Sequence, residues 1–183
     1  MPSKRGWALT PSKEICNRVR SKIFKEKIKK SEKNEMSTLD LELMLRKWRD
    51  FIGVFPCDCL KLAPSKFRST KFMIINLDSS ESRGSHWICL RVDKMSIEIF
   101  DSLGYDYKIW GILPTPLIDF LASLQKTRRL IYSPVLQSKR DINCGLYCVF
   151  FVLYRQLYSF SDCLAVFSKI LAFNHSILIH HLS

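Results

Sequence analysis

The sequence predicts an α+β fold in which a central buried helix packs on a small, mostly antiparallel sheet. Residues 143 to about 158 open with NCGLYCVFFVLY and are apolar nearly all round, a pattern that is stable only where other elements cover every face. Three runs rich in β-branched and aromatic residues, FMIINLD at 72–78, HWICLRVD at 86–93 and IEIFDSL at 97–103, are divided by the loop-like SSESRGS and a short turn at KMS. With 183 residues, 47% of them hydrophobic, the chain suffices for one core and is expected to form one folded domain.

Residues 1–35 are expected to be a basic, flexible N-terminal arm, because NRVRSKIFKEKIKKSEKNE carries few apolar residues and no wide apolar stripe. The folded domain is expected over 36–183. Ser37 followed three residues later by Asp40 resembles a helix start, and Leu41, Met44, Leu45 and Trp48 recur at helical spacing. GVFPCDCLKLAPSKFRS reads as loop. The three strands follow, and a turn around Lys94 and Met95 sets Asp101 opposite Ile88 or Cys89, close to His86 at the open end of one hairpin. LPTPLIDFLASLQK reads as a helix, RRLIYSPVLQ as a fourth strand ending at Gln137, and SDCLAVFSKILAF as a last helix behind the central one.

The formal charge of +12 is uneven: residues 1–33 hold eleven Lys and Arg against three Glu. Such a segment suits a polyanion, DNA first, because each neutralised phosphate releases a counterion; the other reading is a solvated basic tail. Seven cysteines, an odd number in apolar contexts, behind a start without a signal-peptide core, indicate reduced thiols in an intracellular compartment. The longest apolar run, Leu146 to Tyr154, falls far short of the roughly 20 residues of a membrane helix, so no membrane partner is expected. No metal is expected either: Cys57-Asp58-Cys59 and His180-His181 lack the spacing of a structural zinc site. No glycine-rich phosphate cradle is present.

The stretch DINCGLYC carries the chemistry. Asp141 or Asn143 can cap the helix that follows, which puts Cys144 in its first turn, where free N–H groups and the positive end of the helix dipole favour a thiolate. Gly145 beside it has no side chain to obstruct a substrate backbone. Three of the four histidines fall in the last nine residues, which leaves His86 as the candidate base. Asp101 would orient its imidazole, and Gln137 would donate a side-chain N–H to an oxyanion. Taken singly, a buried cysteine, a strand histidine and a strand-end aspartate are ordinary structural residues; the joint pattern is not. Cys148, one turn past Cys144, is expected in the core rather than as a resolving thiol.

SHW, IFDSLG and VLQSKRDINCGLYC, in this order, resemble the adenovirus protease (adenain) family and, more distantly, the SUMO and related ubiquitin-like-protein proteases. The resemblance covers roughly residues 38–160, including DFIGVFPCDCL, which is similar to the segment leading into the first adenain strand. It implies a papain-like cysteine protease fold with Cys144 as nucleophile, His86 as base, Asp101 as third member and Gln137 at the oxyanion hole. Trp87 resembles the aromatic beside the substrate channel. The implied activity is a monomeric cysteine endopeptidase that cleaves virion or core precursor proteins at small, glycine-containing sites, in the host nucleus or virion. It requires no cofactor, with DNA as a candidate activator. Gln137 precedes Cys144 by seven positions, which favours the adenain branch. Residues 102–136 contain no cysteine, so activation by a peptide disulfide-bonded in that interval, as in adenain, is not expected. The alternatives are a protease that deconjugates a ubiquitin-like modifier and an inactive DNA-binding structural protein on a protease fold. The intact set of four residue types argues against the latter.

Overall fold

A computed structural model describes residues 21–31, 34–64, 67–82, 84–104 and 113–183, together with Lys13 and Asn17. The rest of the expected basic arm lies outside the described residues. The elements run α1 (Lys22–Ser31), α2 (Thr38–Leu45), β1 (Phe51–Pro56), a 3-10 turn (Cys57–Leu62), β2 (Lys71–Asn76), β3 (Trp87–Val92), β4 (Ser96–Phe100), α3 (Thr115–Gln125), β5 (Arg129–Tyr132), α4 (Cys144–Tyr154), α5 (Phe160–Ala165), a second 3-10 turn (Leu171–Phe173) and α6 (Asn174–Leu182).

The fold is α+β, with one five-stranded sheet in chain order, β1 to β5. Its centre, β2–β3–β4, is antiparallel, while the outer pairs β1–β2 and β4–β5 are parallel. Strand alternation sorts the side chains into two cores. Phe72, Ile74, Trp87, Cys89 and Phe100 face α4, whereas Met73, Ile75, Ile88, Leu90, Ile97 and Ile99 face α3 and the first 3-10 turn. Every residue of α4 is buried, as its all-round apolar pattern requires. Glu98, also on the α4 side, ties the end of that helix to the sheet: Arg155 Nε and Nη2 both donate to its carboxylate at 2.7 Å, and Arg91 Nη1 donates at 3.0 Å.

Several elements depart from the sequence reading. The segment read as loop from Gly53 contains most of β1. Gly53 sits at φ +134°, where the register against β2 shifts, and Pro56 closes the strand; a glycine and a proline disguise a strand, yet both are tolerated on a sheet edge. β5 ends at Tyr132, and the chain continues to Gln137 outside the sheet. The expected last helix is divided into α5, capped by Ser159 and Asp162, and the 3-10 turn; α6 is an additional helix, with Leu178 and Leu182 in the core. Within the expected arm, α1 is docked rather than loose. Phe24 and Ile28 are buried, and Lys27 and Lys30 reach Asp40 at 2.5 and 2.8 Å. The two apolar residues, four apart, are enough for one narrow contact stripe. No helix among the described residues is long and apolar enough to cross a membrane.

Candidate active site

α4 begins where the sequence places it, with Cys144 as its first residue and Asn143 as N-cap. The capping differs from expectation, because the Asn143 side chain accepts no bond from the helix. Instead the Asn143 backbone N–H and Nδ2 donate to Asp141 Oδ1 at 2.9 and 2.7 Å, which folds the lead-in into a tight turn. Cys144 is 7% exposed at the floor of a cleft of about 770 Å³, with His86 and Gln137 in its walls.

The strand hairpin delivers His86 and Asp101 as the register predicts. Cys89 pairs with Phe100 across β3 and β4, so the residues flanking that end of the ladder meet. His86 Nε2 donates to Asp101 Oδ1 at 2.7 Å, and the imidazole lines the same cleft as Cys144. Asp101 is fully buried and held from three sides: its N–H donates to Ser133 Oγ at 2.8 Å, Ser133 Oγ donates back to its carbonyl at 2.7 Å, and Leu103 N–H donates to Oδ1 at 2.8 Å. Burial opposes a charge on His86. The hydrogen bond to Asp101 and its negative charge, with the neighbouring Cys144, outweigh it, lifting the pKa from 6.5 to about 9. A buried imidazolium facing a thiolate is the state in which a cysteine is nucleophilic at neutral pH.

Gln137 is brought to the same cleft by contacts that sequence reasoning missed. The Ser102 carbonyl accepts from the N–H groups of both Leu136 and Gln137 at 2.7 Å, while Ser102 Oγ donates to Gln137 Oε1 at 2.5 Å. Gln137 Nε2 donates to the Asp141 carbonyl, leaving its second proton for another acceptor. Gly104, at φ +62°, closes the turn after Asp101; a Cβ there would collide with the backbone of Val135, so the glycine of IFDSLG is what lets the Gln137 segment approach. Lys139 and Arg140, between Gln137 and Cys144, also line the cleft, as do Glu35 and Leu171 from stretches that no local motif joins to them.

Two expected substrate contacts need correction. Trp87 is 6% exposed within the core beneath α4, its Nε1 donating to the Met36 carbonyl at 3.1 Å. It does not line the cleft, because strand alternation turns it toward the helices. Gly145 is buried against the chain rather than open to substrate. A Cβ on it would lie 3.1 Å from Met36 Cβ and 3.3 Å from Leu41 Cδ2, so its missing side chain admits the lead-in to α2. Cys148 sits in the core, its Sγ donating to the Trp87 carbonyl at 3.5 Å.

Residues 51–180 match the adenovirus endoprotease family. The chain belongs to that family. Among solved structures, it is similar to the SUMO protease Ulp1 with its catalytic cysteine oxidised to a sulfinic acid, at 16% identity and a TM-score of 0.46, over 93% of this chain and 94% of that one. It is also similar to a protease of ASFV, at 24% identity and a TM-score of 0.41, over 62% of this chain and 44% of that one. It therefore spans less than half the length of the ASFV enzyme. A comparison with curated protein sequences gave no match. The family is one of cysteine proteases.

Proposed function

We propose that this adenovirus-endoprotease family member is an active cysteine endopeptidase whose nucleophile is Cys144. The carrying observation is His86, bonded to the carboxylate of Asp101 at 2.7 Å and set in the same cleft as the thiol of Cys144. In this reading the thiolate attacks the scissile carbonyl, and the oxyanion is met by the Cys144 N–H at the start of α4 and by the second Nε2 proton of Gln137. The His86 imidazolium gives its proton to the leaving amine. Neutral His86 then takes a proton from water, whose hydroxide oxygen attacks the thioester and releases the acid and the thiolate. Asp101 keeps the imidazole oriented throughout. The protease domain of the proposal spans residues 36–183, with α1 fastened to it.

The substrates of the proposal are virion or core precursor proteins, cut at small, glycine-containing sites in the host nucleus or virion by a monomer that needs no cofactor. An extended peptide in a cleft of about 770 Å³ is recognised by main-chain pairing and a few pockets, which short peptides satisfy. DNA is the proposed activator, bound through the basic residues ahead of α2, whose contribution would show as a steep loss of affinity with salt. The test is a fluorescent library of glycine-containing peptides, with and without DNA, against the chain and its Cys144→Ala variant. Cleavage by the former alone supports the reading. Processing of a SUMO fusion at its Gly-Gly terminus, with free peptides untouched, would overturn the substrate class and leave the catalytic roles standing.

A further inference from the structure

The segment ahead of α2 is joined to the back of the catalytic centre by an unbroken set of contacts. Lys27 and Lys30 of α1 reach the two carboxylate oxygens of Asp40 at 2.5 and 2.8 Å. Asp40 is only 2% exposed, and its carboxylate also accepts from the Ser37 N–H and Oγ at 3.1 and 2.8 Å. It thereby pins the first turn of α2. One residue before Ser37, Met36 accepts the Trp87 indole N–H on its carbonyl and packs its side chain onto Gly145. Trp87 follows His86 in the chain, and Gly145 follows Cys144. Glu35 lines the cleft itself.

From these contacts we infer that α1 and Met36 form a positioning clamp for the nucleophile: the lysine pair on Asp40 seats Met36 between Trp87 and Gly145, and this fixes the separation of His86 and Cys144. The inference rests on the proposed roles of those two residues. A buried carboxylate held by two ammonium groups is sensitive to the loss of either, because the one that remains must then balance the buried charge alone. Small displacements of a nucleophile from its base are costly in rate, which is why a contact one residue removed from each partner acts on turnover rather than on substrate affinity. Met36, Lys27, Lys30 and Asp40 are positioning residues; none of them touches the reacting atoms in this reading.

The test compares Lys27→Gln/Lys30→Gln with Lys27→Arg/Lys30→Arg and with a control, Lys25→Gln/Lys29→Gln, which removes the same charge from other positions of α1. Iodoacetamide labelling of Cys144 is followed by mass spectrometry as a function of pH, and amide hydrogen exchange is followed over residues 144–148. The Gln pair is expected to slow Cys144 labelling about tenfold at neutral pH, move its pH profile and speed exchange at the start of α4. The Arg pair should restore both, and the control should change neither. If the Gln pair labels and exchanges like the unaltered chain, or if the control has the same effect, the clamp is overturned. If Cys144 of the unaltered chain is no more reactive than its other thiols, the proposed nucleophile fails; the exchange comparison still decides whether the segment seats the helix.

Discussion

Ser102 Oγ donates to Gln137 Oε1 at 2.5 Å, so the residue after the histidine's carboxylate partner fixes the amide orientation of the residue proposed at the oxyanion hole. The two halves of the centre are thus held by adjacent residues of one turn. Ser102→Ala leaves Gln137 Oε1 buried without that donor and frees the amide to rotate. Losing an oxyanion donor outright costs about 100- to 1,000-fold in kcat, and loosening one costs less, so a fall of about 10- to 100-fold with little change in KM is expected. Steady-state kinetics on a cleaved peptide would show it; an unchanged kcat would exclude Gln137 from the transition state.

The proton on His86 sets the pH response. A histidine raised from 6.5 to about 9 in the folded chain contributes stability that is fully present below 6.5 and is lost as pH rises through about 9. Activity that depends on the imidazolium should fall over the same alkaline limb. In Cys144→Ala the contribution of the neighbouring sulfur to the raised His86 pKa is gone, so the alkaline loss of stability should begin at lower pH. Melting temperatures of both proteins from about pH 6 to about pH 10 would check this, and superimposable profiles would count against a Cys144–His86 pair.

Gly104→Ala should be poorly tolerated. The φ of +62° alone costs an L-residue about 1–2 kcal/mol, and the added Cβ would meet the backbone of Val135. The expected result is a loss of at least about 2 kcal/mol in denaturant unfolding, with a disproportionate loss of turnover because the displaced segment carries Gln137. A neutral substitution would mean that this approach is not needed.

Asp40 gives a response on the acid side. Burial works against its charge, but Lys27, Lys30 and the Ser37 groups hold its carboxyl well below the ordinary 3.8. Stability from this group is therefore present above about pH 4 and is lost as pH falls toward the folded value. Asp40→Asn should cost about 1–3 kcal/mol at about pH 7, and the gap to the unaltered chain should narrow in acid. Thermal melts at about pH 3 and about pH 7 measure it directly.

Register arithmetic makes the centre of the fold legible in the sequence itself. Counting outward from a turn at Lys94 and Met95 places Asp101 by His86, because strand pairing in a tight hairpin leaves one partner for each residue. The start of α4 at Cys144 is equally readable, since a long, wholly buried helix accounts for so apolar a run. Side-chain direction beyond the ladder is harder to read. Trp87 follows His86, and strand alternation turns it into the core. Gly145 has a purpose visible only once Met36 is packed against it. β1 carries the residues of a loop because it is an edge. Ser102, Ser133 and Glu35 serve the site through contacts of long sequence separation, which no spacing rule encodes.

The commitment of Lys27 and Lys30 to Asp40 bears on nucleic-acid binding through thermodynamic linkage. Each ammonium group that turns to a phosphate must leave a buried carboxylate, so a polyanion using these two lysines competes with a counter-ion inside the protein. Reciprocity then fixes the exchange: the factor by which the Asp40 contact weakens polyanion binding at these positions equals the factor by which the polyanion loosens that contact. Lys25 and Lys29, exposed on the same helix, carry no such penalty. A phosphate chain laid along α1 is therefore expected to fill those two positions first, and to reach Lys27 and Lys30 only when its local concentration exceeds what the internal pair can resist.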